Sequence, residues 1–392
     1  MDVLLKMLQG EKEAMLALLR RLVEVESPST DKAAVDRFGK LVAETARRFG
    51  AQVRFHPSRT TGNHLRAEFR LASGQAAGQI LLLGHLDTVW SMGTIQRMPF
   101  RIQSGRAYGP GVFDMKSGIV LGLFALAALR GLRIPVAKKV VLLLNADEEI
   151  GSPSSRSLTE QEARRSDAVL VLEPAHGPRG ALKTARKGTG EFEIRVKGRA
   201  AHAGIEPEKG VNAIVELSHQ LLTVEILTDT KRGITFNPGM ISGGSRANVV
   251  PEEASVIVDV RVLRTEDQAR VERKLHSLRP YDRRAKLEVT GGFNRPPLER
   301  TPAVAALFER ARRLAKPLGM ALRETTVGGG SDGNFTAALG VPTLDGLGAV
   351  GDGAHAVHEH IVIDELPRRA ALLAHLIAEL SSDSGSAEFR RA

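Results

Sequence analysis

Three continuous apolar runs constrain the fold of this chain more than any other feature. They lie at residues 80–83, 140–144 and 169–172 and contain only Ile, Leu and Val. Strands that are apolar on both faces are typical of a parallel sheet covered by helices on both sides. The apolar residues 117–130, between the first two runs, predict one such helix. The sequence therefore predicts an α/β fold, with a mostly parallel sheet flanked by helices.

The pattern changes between residues 181 and 293, where alternating strands and two helices are predicted. The expected elements are, in order, a strand at 192–196, a helix at 208–226, strands at 233–242 and 254–263, a helix from Thr265 and a strand with Leu287 and Val289. The order β-α-β-β-α-β is typical of a ferredoxin-like α+β unit. Helices predicted at 303–315 and 364–380 then resume the first pattern.

A chain of 392 residues is long enough for two domains. We expect a catalytic domain at 1–180 and 294–381, interrupted by a smaller ferredoxin-like domain at 181–293. The final residues, 382–392, are mostly small or charged and are predicted to form a flexible tail.

Acidic and imidazole side chains follow the apolar runs and precede the central helix. They are His85 and Asp87 after the first run, Asp114 before the helix, Glu148 and Glu149 after the second run, Glu173 after the third run, and His355 in a late loop. Sites in open α/β sheets form at the carboxyl ends of the strands, so we expect these side chains to meet. Gathering several carboxylates without a cation is costly. The pattern therefore indicates a metal site.

Composition narrows the choice of metal and partner. The chain has no cysteine, which leaves His, Asp and Glu as ligands and suits zinc, cobalt or manganese. Two metals about 3.5–4 Å apart that share one carboxylate match this supply of ligands. The net charge is +10, but the basic residues are dispersed and aromatic residues are only 4%, which disfavours nucleic-acid binding. A basic surface of this kind favours anionic substrates.

The sequence also predicts a cytoplasmic protein without membrane contact. The N-terminal segment has a short apolar run followed at once by acidic residues, unlike a signal peptide. No stretch is expected to reach the roughly 18–20 apolar residues of a membrane span. The absence of cysteine fits a reducing compartment.

A set of motifs carries a family resemblance. They are GHLDTVW, AYGPGVFDMKSG, NADEEIGS, LEP, GRAAHAG, GGGSDGNF and GAHAVHE. From about residue 11 to about 380, the chain resembles the di-zinc metallopeptidases and deacylases. This family includes bacterial glutamate carboxypeptidase, acetylornithine deacetylase and succinyl-diaminopimelate desuccinylase. The strings HLDTVW, MPFRI and AYGPG are most similar to the glutamate carboxypeptidase branch.

The resemblance implies roles for the residues at the predicted site. Two zinc ions per subunit are expected, with cobalt or manganese as substitutes. The implied roles are His85 and Glu173 as ligands of one metal, Glu149 and His355 as ligands of the other, Asp114 as the bridge, Asp87 as the residue that orients His85, and Glu148 as the general base toward water. His358 is the alternative to His355, but a glutamate four residues after the ligand, here Glu359, favours His355.

The resemblance also implies roles in the inserted domain. His202 is expected to stabilise the oxyanion across the interface of a homodimer. Arg261 is expected to bind the substrate carboxylate, with Asn248 as a neighbouring polar contact. Gly330, in a run of three glycines, is expected to let the backbone approach the substrate. One departure from the family pattern is Met115, which stands where an acidic residue often follows the bridging aspartate.

Four functional interpretations remain open on the sequence alone. The first is a carboxypeptidase that releases a C-terminal residue from small peptides, with glutamate as the expected residue. The second is an N-acyl amino acid deacylase, which needs the same metals and the same arginine. The third is an inactive relative acting as a binding protein, which the complete set of five predicted ligands disfavours. The fourth is a basic nucleic-acid binder, which lacks a supporting motif.

Overall fold

The computed structural model describes residues 2–71 and 78–382, and these residues divide into two compact units. The larger unit holds the described residues up to 184 together with 300–326 and 331–382. The inserted unit holds residues 185–299 and 327–330. The helices are α1 Val3–Gly10, α2 Lys12–Glu24, α3 Lys32–Arg48, α4 Thr94–Arg97, α5 Ser117–Gly131, α6 Arg156–Arg164, α7 Ala213–Glu225, α8 Thr265–His276, α9 Pro302–Ala315, α10 Gly333–Ala338 and α11 Leu366–Ser382.

The strands complete the described secondary structure. They are β1 Gln52–His56, β2 His64–Phe69, β3 Gln79–His85, β4 Arg101–Gln103, β5 Arg106–Tyr108, β6 Lys139–Asn145, β7 Ala168–Val171, β8 Leu182–Arg186, β9 Gly188–Lys197, β10 Thr235–Gly243, β11 Glu253–Val262, β12 Lys286–Arg295, β13 Glu324–Val327, β14 Thr343–Leu344, β15 Gly351–Asp352 and β16 His360–Val362.

The larger unit is built on a six-stranded sheet in the order β1-β2-β6-β3-β7-β14. Strands β6, β3, β7 and β14 run parallel, and β2 and β1 add an antiparallel edge. Ile80 and Leu82 pack into the main apolar core, whereas Leu81 and Leu83 pack into a second cluster on the opposite face. Both faces are therefore covered, as the continuous apolar runs predict.

The central helix of the larger unit requires one correction to the sequence analysis. The 20-residue stretch Val112–Gly131 is long and apolar enough, by length and composition alone, to cross a membrane. In the structure, 89% of its most apolar window is buried. Helix α5 packs against α11 in the core, so its continuous hydrophobicity is that of a helix surrounded by protein.

The inserted unit has the predicted β-α-β-β-α-β order, formed by β9, α7, β10, β11, α8 and β12. Its antiparallel sheet is ordered β10-β11-β9-β12, with a separate apolar core formed by the sheet and helices. Helix α7 begins at Ala213, later than the predicted residue 208. Asn212 Oδ1 accepts hydrogen bonds from the amides of Ile214 and Val215 at 3.1 Å and caps the helix there.

The domain limits also differ from the sequence-based division. Residues 327–330 belong to the inserted unit, although the sequence assigned them to the second catalytic segment. Within this unit, the Arg186 guanidinium donates to the carbonyls of Gly329 and Gly330 at 3.1 and 3.0 Å. Those bonds attach the glycine run to β8. The predicted tail at 382–392 begins at the last residue of α11, and residues 383–392 lie outside the described part of the chain.

Candidate metal centre

The parallel strands of the larger unit deliver the predicted side chains to one sheet edge. His85 ends β3, where it pairs in register with Asn145 at the end of β6. Glu148 and Glu149 follow β6 in a short helical turn, and Glu173 lies two residues beyond β7. Because these strands are parallel neighbours, their carboxyl ends place the imidazole and the three carboxylates together.

Asp114 lies between two histidines. Its Oδ1 is 3.3 Å from His85 Nε2, and its Oδ2 is 3.3 Å from His355 Nε2. His85 Nε2 is also 3.3 Å from Glu173 Oε1, and His355 Nε2 is 3.3 Å from Glu149 Oε2. The five side chains thus form two histidine–carboxylate pairs on either side of one central carboxylate.

The separations between these atoms indicate metal ligands more than hydrogen bonds. All four nitrogen–oxygen distances are 3.3 Å, slightly beyond the usual hydrogen-bond range. Two ligands of one tetrahedral zinc, each about 2.0–2.1 Å from the metal, lie roughly 3.3–3.4 Å apart. Donor atoms at these separations would fit around two metals, with one oxygen of Asp114 offered to each.

Glu149 supplies a further observation in favour of a cation. Its Oε1 is buried and has no hydrogen-bond partner among the described residues. A buried carboxylate oxygen without a donor is costly unless a cation meets it. Burial raises the pKa of Glu149, which is the response of a carboxylate that lacks such a cation.

The histidines and Asp114 influence one another electrostatically. Asp114 and then Glu149 raise the pKa of His355 to about 10. Burial by itself lowers the pKa of His85, but contacts with Asp114, Asp87 and Glu173 raise that pKa well above its usual value. Burial likewise opposes ionisation of Asp114, but the two histidines hold its pKa well below the usual range. Without metal, the protonated imidazoles of His85 and His355 provide the positive charge that neutralises these carboxylates.

Asp87 is buried beneath the site and makes contacts with both halves of it. His85 Nδ1 lies 2.9 Å from the backbone oxygen of Asp87 and 3.5 Å from its carboxylate Oδ1. The backbone carbonyl is therefore the closer partner of the ring. The Asp87 carboxylate instead accepts hydrogen bonds from the amides of Glu148 and Glu149 at 3.2 Å and from Ser29 Oγ at 2.7 Å.

Glu148 lies beside the side chains predicted to be metal ligands. One oxygen of Glu148, a ring nitrogen of His85 and an oxygen of Glu173 lie within 4.8 Å of one another. The same limit holds for His85, Asp114 and Glu149. Glu148 and Glu149 are adjacent in sequence, and the turn between them lets both carboxylates reach the cluster.

The late loop presents His355 and not His358 to the acidic residues. His355 adopts a positive φ of 62°, an uncommon conformation for a residue other than glycine. Its half-exposed ring lies 3.3 Å from Asp114 Oδ2 and from Glu149 Oε2, whereas His358 forms no ion pair with an acidic side chain among the described residues. The structure therefore favours the first of the two alternatives that the sequence left open.

Sequence reasoning missed the residues that support the Glu148–Glu149 turn. Asp332 Oδ2 accepts from Asn145 Nδ2 at 2.5 Å, and its Oδ1 accepts from Ser152 Oγ, so it connects the two ends of this turn. On the other side, Ser154 Oγ donates to Asp147 Oδ2 at 2.7 Å and contacts His64 Nε2 at 3.1 Å. The motifs GGGSDGNF and NADEEIGS contain four of these residues, but the motifs alone do not reveal the pairings.

The inserted unit brings His202 and Asn248 together. His202 forms a β-bridge with Val249, and the amide of Ala203 donates to the carbonyl of Asn248 at 3.0 Å. His202 Nδ1 accepts from the amide of Gly204 at 3.1 Å, which leaves the Nε2 side of the ring for another partner. Both residues thus lie on one pair of neighbouring loops within the inserted unit.

Arg261 lies next to the glycine run in the same unit. Its Nε and Nη2 both donate to the carboxylate of Asp259 at 2.8 Å, and its Nη1 lies 3.5 Å from the carbonyl of Gly328. An added Cβ at Gly330 would lie 2.9 Å from Arg295 Cδ, so a side chain there would require Arg295 to shift. Sequence reasoning did not foresee the fork between Arg261 and Asp259.

The fold and the site together define a class of protein. A parallel sheet that gathers imidazole and carboxylate side chains around one central carboxylate at its edge fits the class of dinuclear metallohydrolases. Comparison with known proteins identifies the family within this class. Residues 81–379 match the model of peptidase family M20/M25/M40, and the chain belongs to that family.

Individual relatives agree with this assignment. Carboxypeptidase G2 from Pseudomonas sp. (strain RS-16) is 30% identical over 389 residues, which cover 97% of this chain and 92% of that protein. The aminopeptidase PepT from Bacillus cereus has a similar structure, with a TM-score of 0.78, 22% identity and coverage of 95% and 99% of the two chains. The YXEP protein of Bacillus subtilis, described as a dinuclear metal-binding peptidase of the M20 family, gives a TM-score of 0.71 at 15% identity, covering 95% and 98%. The protein is thus a metallopeptidase.

Proposed function

We propose that this metallopeptidase is a carboxypeptidase that uses two zinc ions to release a C-terminal glutamate, or a similar residue, from a small peptide or acylated substrate. The observation that carries the proposal is the position of Asp114, whose two oxygens lie 3.3 Å from two different histidines. A single metal does not need a carboxylate shared in this way. The similarity to Carboxypeptidase G2 over 97% of the chain supports the choice of a carboxypeptidase reaction.

The proposed ligands divide the site into two halves. His85 and Glu173 would hold one metal, Glu149 and His355 would hold the other, and Asp114, which lies 3.3 Å from both histidines, would be shared between them. When bound, the two metals lower the pKa of water and polarise the scissile carbonyl. The chemistry of the ligands, nitrogen and oxygen without sulfur, suits zinc and also admits cobalt or manganese.

Glu148 is the proposed general base. Its carboxylate lies next to His85 and Glu173, and the hydrogen bond from its amide to Asp87 Oδ1 fixes its backbone. It takes a proton from the attacking water and passes it to the amine of the leaving residue as the C–N bond breaks. His202 is proposed to donate a hydrogen bond to the developing oxyanion.

Arg261 is proposed to bind the carboxylate of the leaving residue. Pairing with Asp259 occupies Nε and one Nη2 hydrogen, so the outer edge formed by Nη1 and Nη2 retains donors. Asp259 holds the guanidinium plane in place, which favours two parallel bonds to a planar carboxylate. Asn248 and the backbone at Gly330 are proposed as further substrate contacts.

A homodimer through the inserted unit is part of the proposal. Strand β10 is at a sheet edge, and residues 237–243 within it are exposed. Met240 and Ile241 on this strand are 68% and 66% exposed, Leu222 on α7 is 63% exposed, and Ile226, directly after α7, is 79% exposed. An unpaired edge with apolar neighbours is well suited to a second copy of the chain. Sedimentation of Ile226→Glu beside the unchanged protein tests this point, and equal masses at micromolar concentration would contradict it.

A cytoplasmic location is also proposed. It is supported by the absence of cysteine from all 392 residues, which suits a reducing compartment. Fractionation of the source cells tests the location, and recovery of the protein outside the cytoplasm would contradict it.

The experiment that tests the proposed reaction measures amino acid release by mass spectrometry. The substrates are N-benzoylglutamate, pteroylglutamate, short peptides, N-acetylornithine and N-succinyl-diaminopimelate, each with and without chelator. The proposal predicts chelator-sensitive release of glutamate from the first two. Cleavage of the small acyl substrates alone would instead place the protein with the deacylases, the alternative that the sequence left open.

A further inference from the structure

The carboxylate of Glu359 accepts four N–H hydrogen bonds. Its Oε2 accepts from Trp90 Nε1 and from the amide of Gly111, both at 2.8 Å. Its Oε1 accepts from the amide of Phe113 at 2.9 Å and from the amide of Asp114 at 3.0 Å. Glu359 is fully buried, so these four donors replace the water that a carboxylate otherwise needs.

The four bonds join three segments, each of which carries a proposed ligand. Trp90 lies five residues after His85, the amide of Asp114 belongs to the proposed bridge, and Glu359 itself lies four residues after His355. Strand pairing also joins two of these segments next to Glu359. Strand β16 pairs with β5, and His360 lies opposite Tyr108. Glu359 is therefore the common point of three loops that converge on the metal centre.

The backbone amides of the loop that carries Asp114 donate hydrogen bonds to a side chain outside that loop. Asp114 and Met115 have φ/ψ values of −112°, 96° and −131°, 35°, so this segment is not helical although α5 begins two residues later. The amides of Gly111, Phe113 and Asp114 all point at the Glu359 carboxylate. Three charge-assisted bonds to one side chain hold the backbone on which the bridging carboxylate is mounted.

We propose that Glu359 is the positioning residue of the dinuclear centre. It does not touch the metals or the substrate; it fixes the backbone of Asp114 so that the two carboxylate oxygens face His85 and His355. The inference rests on the proposed metal site and extends it to the residue that sets the position of the bridge. Substitution of a residue that hydrogen-bonds to a metal ligand typically lowers metal affinity or activity by about 10–100-fold.

The test compares Glu359→Gln with a matched control, Glu216→Gln. Glu216 is 2% exposed in the inserted unit and accepts hydrogen bonds from the amides of Tyr281 and Asp282 at 2.9 and 2.8 Å. Both substitutions replace a buried carboxylate that binds backbone amides. Only Glu359 contacts loops that carry proposed ligands. Loss of a buried carboxylate should therefore lower the stability of both variants, whereas loss of a positioning residue should lower zinc affinity in Glu359→Gln alone.

The readouts are zinc affinity by competition with a chromophoric chelator, zinc content, kcat and KM separately, and tryptophan emission. Glu359→Gln should weaken zinc binding at least about tenfold and lower kcat by a similar factor, with KM within about threefold. Trp90 is the only tryptophan in the chain, so its emission should also change in Glu359→Gln. Glu216→Gln should match the unchanged protein in zinc affinity, kcat and emission.

Equal zinc affinity in Glu359→Gln and Glu216→Gln would overturn the inference. If Glu359→Gln does not fold, Glu359→Asp keeps the charge while shortening the reach, and it should show the same losses in smaller measure. Failure of both Glu359 variants to fold, with Glu216→Gln folded, would reject a specific positioning role. If the unchanged protein binds no metal, the proposed function itself fails, which separates that result from failure of this inference.

Discussion

The amide of Glu148 donates to Asp87 Oδ1 at 3.2 Å, which attaches the proposed general base to a residue that also contacts His85, a proposed metal ligand. The neighbouring amide of Glu149 donates to Asp87 Oδ2 at the same distance. One buried carboxylate thereby sets the backbone positions of the proposed base and of a proposed ligand. Asp87 acts on this turn more directly than on the imidazole, since its Oδ1 lies 3.5 Å from His85 Nδ1.

Substitution of Asp87 should affect catalysis more than substitution of its hydroxyl partner. Asp87→Ala removes the acceptor for two backbone amides and should lower kcat about 10–100-fold. Ser29→Ala removes one hydrogen bond to the same carboxylate and should destabilise the protein by about 1 kcal/mol, with kcat within about threefold. Steady-state kinetics and thermal melts of the two variants check the difference, and equal kcat values would contradict it.

Glu148→Gln should separate metal binding from proton transfer. The amide cannot act as a base, so kcat should fall at least about 100-fold. The two zinc ions should remain, since Glu148 is not among the proposed ligands. Zinc analysis and kcat measured on the same preparation test this prediction. Activity that survives at near the original rate would show that another group takes the proton.

Metal binding should release protons. The pKa of His355 in the metal-free site is about 10, against an ordinary value near 6.5, so the imidazole is charged at neutral pH and must lose its proton to bind metal. The raised pKa stabilises the metal-free fold fully below about pH 6.5, and this contribution is lost as pH rises through about 10. Metal affinity should therefore increase with pH over the same interval.

Titration calorimetry in buffers of different ionisation enthalpy measures the released protons. The apparent binding enthalpy should change linearly with the ionisation enthalpy of the buffer, with a slope equal to the number of protons released. His355→Ala should give a smaller slope. An enthalpy that is the same in all buffers would show that the site is already deprotonated before metal binds.

Arg261→Lys should raise KM much more than it lowers kcat. Lysine has a point charge in place of the planar fork and cannot bind Asp259 and a second carboxylate side by side. Arg195→Lys, the same substitution at an arginine of β9 that pairs with Glu193 two residues earlier, is the control and should leave KM within about twofold. A KM for N-acylglutamate that does not change in Arg261→Lys would move the carboxylate site elsewhere.

The sequence predicted the fold and the assembly of the site well, for a physical reason. The apolar runs at 80–83, 140–144 and 169–172 require a sheet buried on both faces, and parallel strands end at one edge. The acidic and imidazole residues that follow those runs do meet there. Their roles as ligands and base stay predictions, because spacing and contact do not by themselves identify a metal.

Hydrogen bonds between side chains far apart in the chain could not be predicted from the sequence. The contact between Asp332 and Ser152 spans 180 residues, and the bond between Trp90 and Glu359 spans 269. Local pattern does not reveal which buried carboxylate meets which donor, since any buried polar group needs a partner. The fork between Arg261 and Asp259 is short in sequence but depends on two side chains that extend from the same face of β11.

The central claim is that one carboxylate, Asp114, joins two metals, and a metal count tests it most directly. The protein is loaded with zinc, freed of excess metal by gel filtration and analysed by mass spectrometry, beside Asp114→Ala and Glu216→Gln. The account predicts two zinc ions per chain in the unchanged protein and in Glu216→Gln, and fewer than one in Asp114→Ala, with loss of activity. Two firmly bound zinc ions in Asp114→Ala, or none in the unchanged protein, would contradict it.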